Sequence, residues 1–221
     1  MGLRLRPRPA TPAELNPAES QRELARSGAG TVAAARWLVA GLGNPGPQYA
    51  ANRHNVGFLC CDEIASRVGG NFKRDRSRTM AFTAVLAGVP VAVAKPMTFM
   101  NLSGSPVAAL SRFLKIPPDR IAVVHDELDL PFGAVRLKLG GGDNGHNGLR
   151  SISASLGTRE YHRVRIGIGR PPGRMDPADY VLRNFAGPEL ADLPEILGRA
   201  ADALEALLAS GLAVAQNEFH H

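Results

Sequence analysis

The chain has 221 residues, 44% of them hydrophobic, and a formal net charge of +6. This length favours one well-buried domain, and no apolar run reaches the roughly 18 residues that a membrane-spanning helix requires. We therefore expect a soluble protein without a membrane partner. The positive charge makes a polyanionic partner plausible but does not identify one.

Residues 1–35 are rich in proline, arginine, alanine and glycine and have no sustained apolar period. Such a segment buries too little apolar surface to offset its ordering entropy, so we predict a disordered N-terminal extension followed by one folded domain over residues 36–221. The start lacks the continuous apolar core of a secretory signal peptide. The two cysteines, Cys60 and Cys61, are adjacent and poorly placed for a disulfide with each other. A cytoplasmic location is therefore expected.

Short strand patterns alternate with helix patterns along the rest of the chain. The pattern over 56–68 ends at two glycines, as helices often do, and Ala87-Gly88 separates two strand patterns as in a β-hairpin. The order predicts an α/β fold, a single globular domain whose mixed, mostly parallel twisted sheet is flanked by helices. In chain order, the predicted elements are a strand at 37–42, a helix at 56–68, hairpin strands at 80–86 and 89–94, a helix at 106–114, strands at 121–124 and 133–139, a helix at 149–156, a strand at 163–168 and a helix at 189–208.

Polar loops follow three of the predicted strands. The first loop begins with 41–46 and continues to 52–55, the second covers 95–101, and the third covers 125–129. A glycine-rich loop at 140–148 can close over the same place. In open α/β sheets functional groups gather beyond the carboxyl ends of the strands, so we expect these loops to meet at one crevice.

The loops contain the groups that a metal-free ester hydrolase requires. His54 is suited to act as a general base near neutral pH, and Asp126 is suited to orient its imidazole. Asn44, Asn101 and Asn147 offer neutral amide groups that can hold substrate or stabilise an oxyanion. Each residue also has a simpler interpretation: turn chemistry for Asn44, a helix cap or surface ion pair for Asp126, and ordinary packing for His54.

Positive charge is concentrated between Arg136 and Arg183. This segment contains nine Lys or Arg residues and four Asp or Glu residues. It is our candidate phosphate-contacting surface; the alternative is an ordinary solvated basic face.

Five segments resemble the bacterial-type peptidyl-tRNA hydrolase family in order and spacing, over about Trp37 to Asn217. Any one of them alone is a weak signal, whereas five in one order are highly specific. The segments are GLGNPGPQYAANRHNVGF, KPMTFMNLSG, HDELDLPFG, LGGGDNGHNGL and YHRVRIGIGRP.

The resemblance implies a monomeric catalytic domain without cofactor, acting on tRNA that carries a peptide. It implies that His54, Asp126 and Asn44 are catalytic. The residues it implies for substrate binding are Tyr49, Met100, Asn101 and Asn147, and we add His146 to them. The basic residues that it implies at the tRNA 5′ phosphate are Lys138 and Arg165, and we add their neighbours Arg136 and Arg163. Asn144 departs from the family, which commonly has glycine at that position.

Two other functions are considered. The segment 41–46 fits the G-x-G-x-x-G pattern of dinucleotide-binding proteins, but Pro45 stiffens the turn and the next predicted helix begins about ten residues later. A non-catalytic RNA-binding protein on the same fold remains the main alternative. His125, His146 and His162 lack zinc-ligand spacing, so no metal site is predicted.

Overall fold

A seven-stranded mixed sheet forms the centre of the computed structural model, which describes residues 37–220. The predicted N-terminal extension, residues 1–35, lies outside the described residues. The spatial order of the strands is β2-β3-β4-β1-β5-β7-β6. The strands are β1 (Trp37–Gly41), β2 (Lys73–Arg74), β3 (Thr79–Leu86), β4 (Val89–Pro96), β5 (Ile121–Glu127), β6 (Val135–Leu139) and β7 (His162–Gly167).

Parallel pairing occupies the middle of the sheet and antiparallel pairing occupies both edges. Strands β4, β1, β5 and β7 run parallel, whereas β2, β3 and β4 pair antiparallel, as do β6 and β7. The predicted fold class is therefore confirmed. Because the four central strands point the same way, their carboxyl ends meet at one edge.

All the predicted helices are present. The short helix α4 and the last helix α6 were not predicted, and α5 is longer than expected. The helices are α1 (Val56–Val68), α2 (Gly104–Leu114), α3 (Asn147–Leu156), α4 (Pro177–Val181), α5 (Pro188–Ser210) and α6 (Leu212–Phe219). Within the described part of the chain, no helix is both long and apolar enough to cross a bilayer.

One boundary is corrected. We expected a loop from His125 onward, but β5 continues to Glu127. Its last residues pair with β7, where Asp126 lies opposite Ile166. This pairing keeps the backbone of these polar residues extended and thereby fixes the directions of their side chains.

Two apolar clusters cover the two faces of the sheet. Trp37 and Val39 of β1 pack in the cluster that includes residues of α1, α5 and α6, and Leu38 and Ala40 pack in the cluster that includes residues of α2 and α3. Alternate residues of β1 thus point to opposite faces, and both faces are buried, which explains why β1 has a continuous apolar sequence.

Helix α1 approaches the sheet through a glycine. A Cβ atom added to Gly57 would lie 2.3 Å from the carbonyl oxygen of Val124 and 2.4 Å from the backbone nitrogen of Leu42. We expect Gly57→Ala to lower the free energy of unfolding by about 1–3 kcal/mol, because backbone atoms must move apart. Denaturant unfolding measures this change. Gly198→Ala within α5, where the nearest atom is a flexible Arg67 nitrogen at 3.2 Å, should be neutral or stabilising; equal effects of the two substitutions would contradict the packing argument.

Candidate active site

His54 and Asp126 meet at the carboxyl edge of the sheet. His54 lies in a 3-10 turn, Arg53–Asn55, directly before α1, and Asp126 lies near the end of β5. The Nδ1 atom of His54 is 2.9 Å from Oδ1 and 3.0 Å from Oδ2 of Asp126. Their side chains are only 11% and 3% exposed. Two groups separated by 72 residues in sequence are thus hydrogen-bonded in a largely dry environment.

The charges of this pair follow from its surroundings. Burial disfavours the ionised Asp126 carboxylate, but the neighbouring His54 and His146 imidazoles outweigh it and hold the pKa of Asp126 well below its usual range. Burial lowers the pKa of His54, but the charge and hydrogen bond of Asp126 outweigh this and leave it raised above 6.5. Asp126 is therefore ionised at neutral pH. Because a carboxylate only accepts, His54 donates its Nδ1–H, and in the neutral imidazole Nε2 is left as the basic nitrogen.

His146 binds the same carboxylate from a second direction. Its Nε2 lies 3.0 Å from Oδ1 of Asp126, while its Nδ1 accepts hydrogen bonds from the backbone nitrogens of Gly148 and Leu149 at 3.1 and 3.4 Å. In the neutral ring the hydrogen therefore lies on Nε2 and is donated to Asp126. His146 thus caps α3 and holds Asp126 in place. The substrate-binding role expected for His146 from the sequence stays a prediction; its side chain is 8% exposed.

Asn44 is fixed by three hydrogen bonds. Its side-chain oxygen accepts from the backbone nitrogen of Met100 at 2.8 Å. Its backbone nitrogen donates to Oδ1 of Asn55, and its carbonyl accepts from Nδ2 of Asn55, both at 2.9 Å. Among the described residues none accepts from Nδ2 of Asn44, which leaves both N–H donors of this amide for a ligand. The buried residue Asn55, which sequence analysis did not single out, links the Asn44 loop to the His54 turn.

The two other candidate asparagines lie on neighbouring elements. Asn101 is in a 3-10 turn, Met100–Leu102, and Asn147 is the first residue of α3; both are exposed. These elements touch closely, since a Cβ atom on Gly148 would lie 2.6 Å from the sulfur of Met100. Asn101 and Asn147 therefore lie on either side of a tight contact beside the buried Met100.

Tyr49 lies in the loop after β1 and packs against a residue of the second loop. Its ring and that of Phe99 are edge to face, with centroids 6.4 Å apart. Phe99 is 56% exposed and Tyr49 is half-buried. The first and second loops thus share an aromatic contact at the surface.

The ligating atoms of His54, Asp126 and His146 all lie within 4.8 Å of one another. Sequence spacing alone could not reveal this cluster. Each imidazole already donates to Asp126, and a metal ion would have to replace both hydrogen bonds. This geometry therefore favours proton transfer over metal binding by the three residues.

Four cations lie side by side on β6 and β7. Arg136 is opposite Arg165, and Lys138 is opposite Arg163. Residues that face each other across two strands, and those two apart on one strand, lie on the same face. Like charges in this arrangement repel one another, so the face favours an anionic ligand.

The four cations have different surroundings. Arg165 forms an ion pair with Glu127 at 3.0 Å, and Arg136 donates to the carbonyl of Phe219. Partial burial, and after it the charges of Arg163 and Arg165, lower the pKa of Lys138.

Arg163 differs from the other three. Its side chain is 1% exposed and donates to the carbonyl oxygens of Gly142 and Gly141, at 2.5 and 2.8 Å. This burial leaves no surface for a phosphate. The expectation that Arg163 contacts tRNA phosphate is therefore corrected: its side chain holds the glycine-rich loop.

Comparison with known proteins gives one consistent result. The family model described as peptidyl-tRNA hydrolase matches residues 38–221. Peptidyl-tRNA hydrolases of Frankia casuarinae and Mycolicibacterium smegmatis are 62% and 55% identical over 83% of this chain, and the matches cover 93% and 96% of those proteins. The crystal structure of peptidyl-tRNA hydrolase from Acinetobacter baumannii is 37% identical, with a TM-score of 0.77 over 83% of this chain and 93% of that one. The chain therefore belongs to the peptidyl-tRNA hydrolase family.

Proposed function

We propose that this enzyme hydrolyses the ester bond between a peptide, or an N-blocked amino acid, and the 3′ ribose of tRNA. Membership of the family supports this substrate. The observation that carries the mechanism is the buried pair of His54 and Asp126, in which Nδ1 of the imidazole is 2.9 Å from the carboxylate. That pair prepares a base whose second nitrogen can act on water.

In the proposed reaction, Nε2 of His54 removes a proton from water as the water oxygen attacks the ester carbonyl. The carbonyl oxygen becomes an oxyanion, and the Nδ2 group of Asn44 is the proposed donor to it. When the intermediate collapses, the bond to the ribose oxygen breaks and the imidazolium returns its proton to that oxygen. Asp126 stabilises the imidazolium between these steps and does not itself change protonation.

Substrate selection is assigned to Asn101 and Asn147. Amide side chains can pair with the backbone of an extended peptide without depending on its side chains. A free aminoacyl-tRNA carries a charged α-amino group, which is costly to desolvate beside groups arranged for a neutral amide. We assign Tyr49 and Met100 to contacts along the same peptide.

Two alternatives are less well supported. A dinucleotide-binding site is disfavoured because the glycine-rich turn after β1 leads into a 3-10 helix at 47–49, and α1 begins only at Val56. A non-catalytic RNA-binding protein has no need for an imidazole whose orientation is fixed by a buried carboxylate.

The function is tested by incubating the full chain with N-acetyl-aminoacyl-tRNA and with free aminoacyl-tRNA, and following release of the acyl group. We expect rapid release from the blocked substrate only. A protein that binds tRNA tightly but releases neither acyl group would contradict the proposal and support the non-catalytic alternative.

The basic face on β6 and β7 is proposed to bind tRNA phosphate through Lys138 and Arg165, with Arg136 beside them. We expect Lys138→Ala to raise KM several-fold with little change in kcat, because the contact is remote from the ester. The slope of log KM against log salt should fall by about 1. Lys73→Ala, on exposed β2 at the opposite edge of the sheet, is the matched control; an equal effect of Lys73→Ala would place phosphate binding elsewhere.

A further inference from the structure

The turn that carries His54 is joined to a distant part of the chain. The backbone nitrogen of Arg53 donates to the carbonyl of Arg183 at 3.0 Å, and the backbone nitrogen of Phe185 donates to the carbonyl of Ala51 at 3.2 Å. The side chain of Asn52 donates to that of Asn184 at 2.6 Å. A short stretch before His54 thus pairs with a segment about 130 residues later.

The guanidinium of Arg53 lies inside this junction. One of its nitrogens donates to the carbonyl oxygens of Arg183 and Asn184 at 3.2 and 2.9 Å, and the other donates to Glu189 at 2.5 Å. Its central carbon is 4.5 Å from the centroid of the Tyr180 ring. The residue is 7% exposed. Burying a cation costs free energy unless the cation is paired. These contacts require an arginine, because its planar guanidinium can donate to the carboxylate and to both carbonyls at once.

The position of His54 depends on its two neighbours in sequence. Asn55, on one side, is tied to Asn44, while Arg53, on the other side, is tied to the segment that ends at Glu189. The turn itself has no side-chain cap. A reacting group displaced by about 1 Å can lose about 10²-fold in rate. Weaker contacts at Arg53 are therefore expected to disturb the orientation of His54 toward Asp126.

We infer that Arg53 is a positioning residue for His54, and that residues Tyr180–Glu189 contribute to the reaction by anchoring it. The part of this inference that is tested by activity rests on the proposed function. Arg53 acts through His54 and makes no proposed contact with substrate.

The test compares Arg53→Lys with Glu189→Gln. Lysine keeps the charge but cannot bind the two carbonyls and the carboxylate together, so we expect kcat to fall about 10-fold or more with little change in KM. The pKa of His54, followed by NMR, should fall, because contact with Asp126 weakens while burial persists. Glu189→Gln keeps an oxygen acceptor for Arg53 but removes its counter-ion, so we expect a smaller fall in kcat and in the pKa of His54 than Arg53→Lys gives.

Arg67→Lys is the matched control. Arg67 also joins α1 to α5, through Asp202 at 2.5 Å and the carbonyl of Gly198 at 3.0 Å, but it lies thirteen residues beyond His54. We expect its replacement to lower Tm without changing kcat or the pKa of His54.

A folded Arg53→Lys protein with wild-type kcat and a wild-type His54 pKa would overturn the inference, whatever its Tm. The NMR titration requires no tRNA. An inactive wild-type enzyme would therefore contradict the proposed function, while a shifted His54 pKa in Arg53→Lys would still support the positioning role.

Discussion

Replacing His54 by alanine is expected to lower kcat/KM for N-acetyl-aminoacyl-tRNA by about 10²-fold or more, which corresponds to about 2.7 kcal/mol of transition-state stabilisation. The loss follows because no other described imidazole is held by the Asp126 carboxylate with a ring nitrogen left over: both nitrogens of His146 are engaged, and His125 donates to the backbone carbonyl of Asp126 instead. Initial rates, with circular dichroism as the check on folding, measure the effect.

His54→Asn provides a sharper comparison. An asparagine amide can donate to Asp126 as Nδ1–H does, but it cannot serve as a base. We expect it to fold as wild type and to be as inactive as His54→Ala. If a correctly folded His54→Asn protein kept most of its activity, the base would have to be another group.

Replacing Asp126 by asparagine is expected to reduce kcat/KM by about 10²-fold or more and also to displace the pH profile. His54 must be neutral to accept a proton, so activity falls as the pH drops through its pKa. Asp126 raises that pKa, whereas burial lowers it. Without the carboxylate, burial still lowers the pKa of His54 and Asp126 no longer raises it. The acid limb of the pH profile should therefore move to lower pH.

The pH dependence of kcat/KM for wild type and Asp126→Asn measures this displacement. Asn144→Gly, which changes the glycine-rich loop without removing a charge, serves as the control and should leave the acid limb in place. An acid limb that stays fixed or moves to higher pH in Asp126→Asn would show that Asp126 does not set the basicity of the catalytic group.

Local sequence was sufficient to predict α1, because its apolar spacing ends at Gly69, which takes the left-handed conformation at φ 64°. It was insufficient for the end of β5, where polar residues suggested a loop. Pairing of Asp126 with Ile166 of β7 keeps the strand extended. Such pairing joins distant residues and leaves no periodic signal in either segment.

The candidate site was predicted in a similar, uneven way. Loops at strand ends pointed to His54 and Asp126, the chemistry of the two side chains suggested their roles, and the family resemblance implied the same roles. Asn55, Arg53 and Glu127 were missed because their importance comes from partners far along the chain. Arg165 was identified as a cation, but its ion pair with Glu127, 38 residues away, could not be inferred from spacing.

Asn144 occupies a position at which the family resemblance implies glycine. Its φ of 46° lies in the left-handed region, which asparagine tolerates better than most residues. Its side-chain nitrogen is 3.4 Å from Glu127, the partner of Arg165. This side chain therefore joins the glycine-rich loop to the residue that pairs with Arg165 on the basic face.

The most direct measurement compares the pKa of His54 from an NMR titration of the free enzyme with the pH dependence of kcat/KM. The latter reports the pKa values of essential groups in the free enzyme. We predict a neutral imidazole protonated on Nδ1, with a pKa above 6.5 that coincides with the acid limb of the rate profile. A neutral ring protonated on Nε2, or a pKa unrelated to the acid limb, would contradict the assignment of His54 as the base held by Asp126.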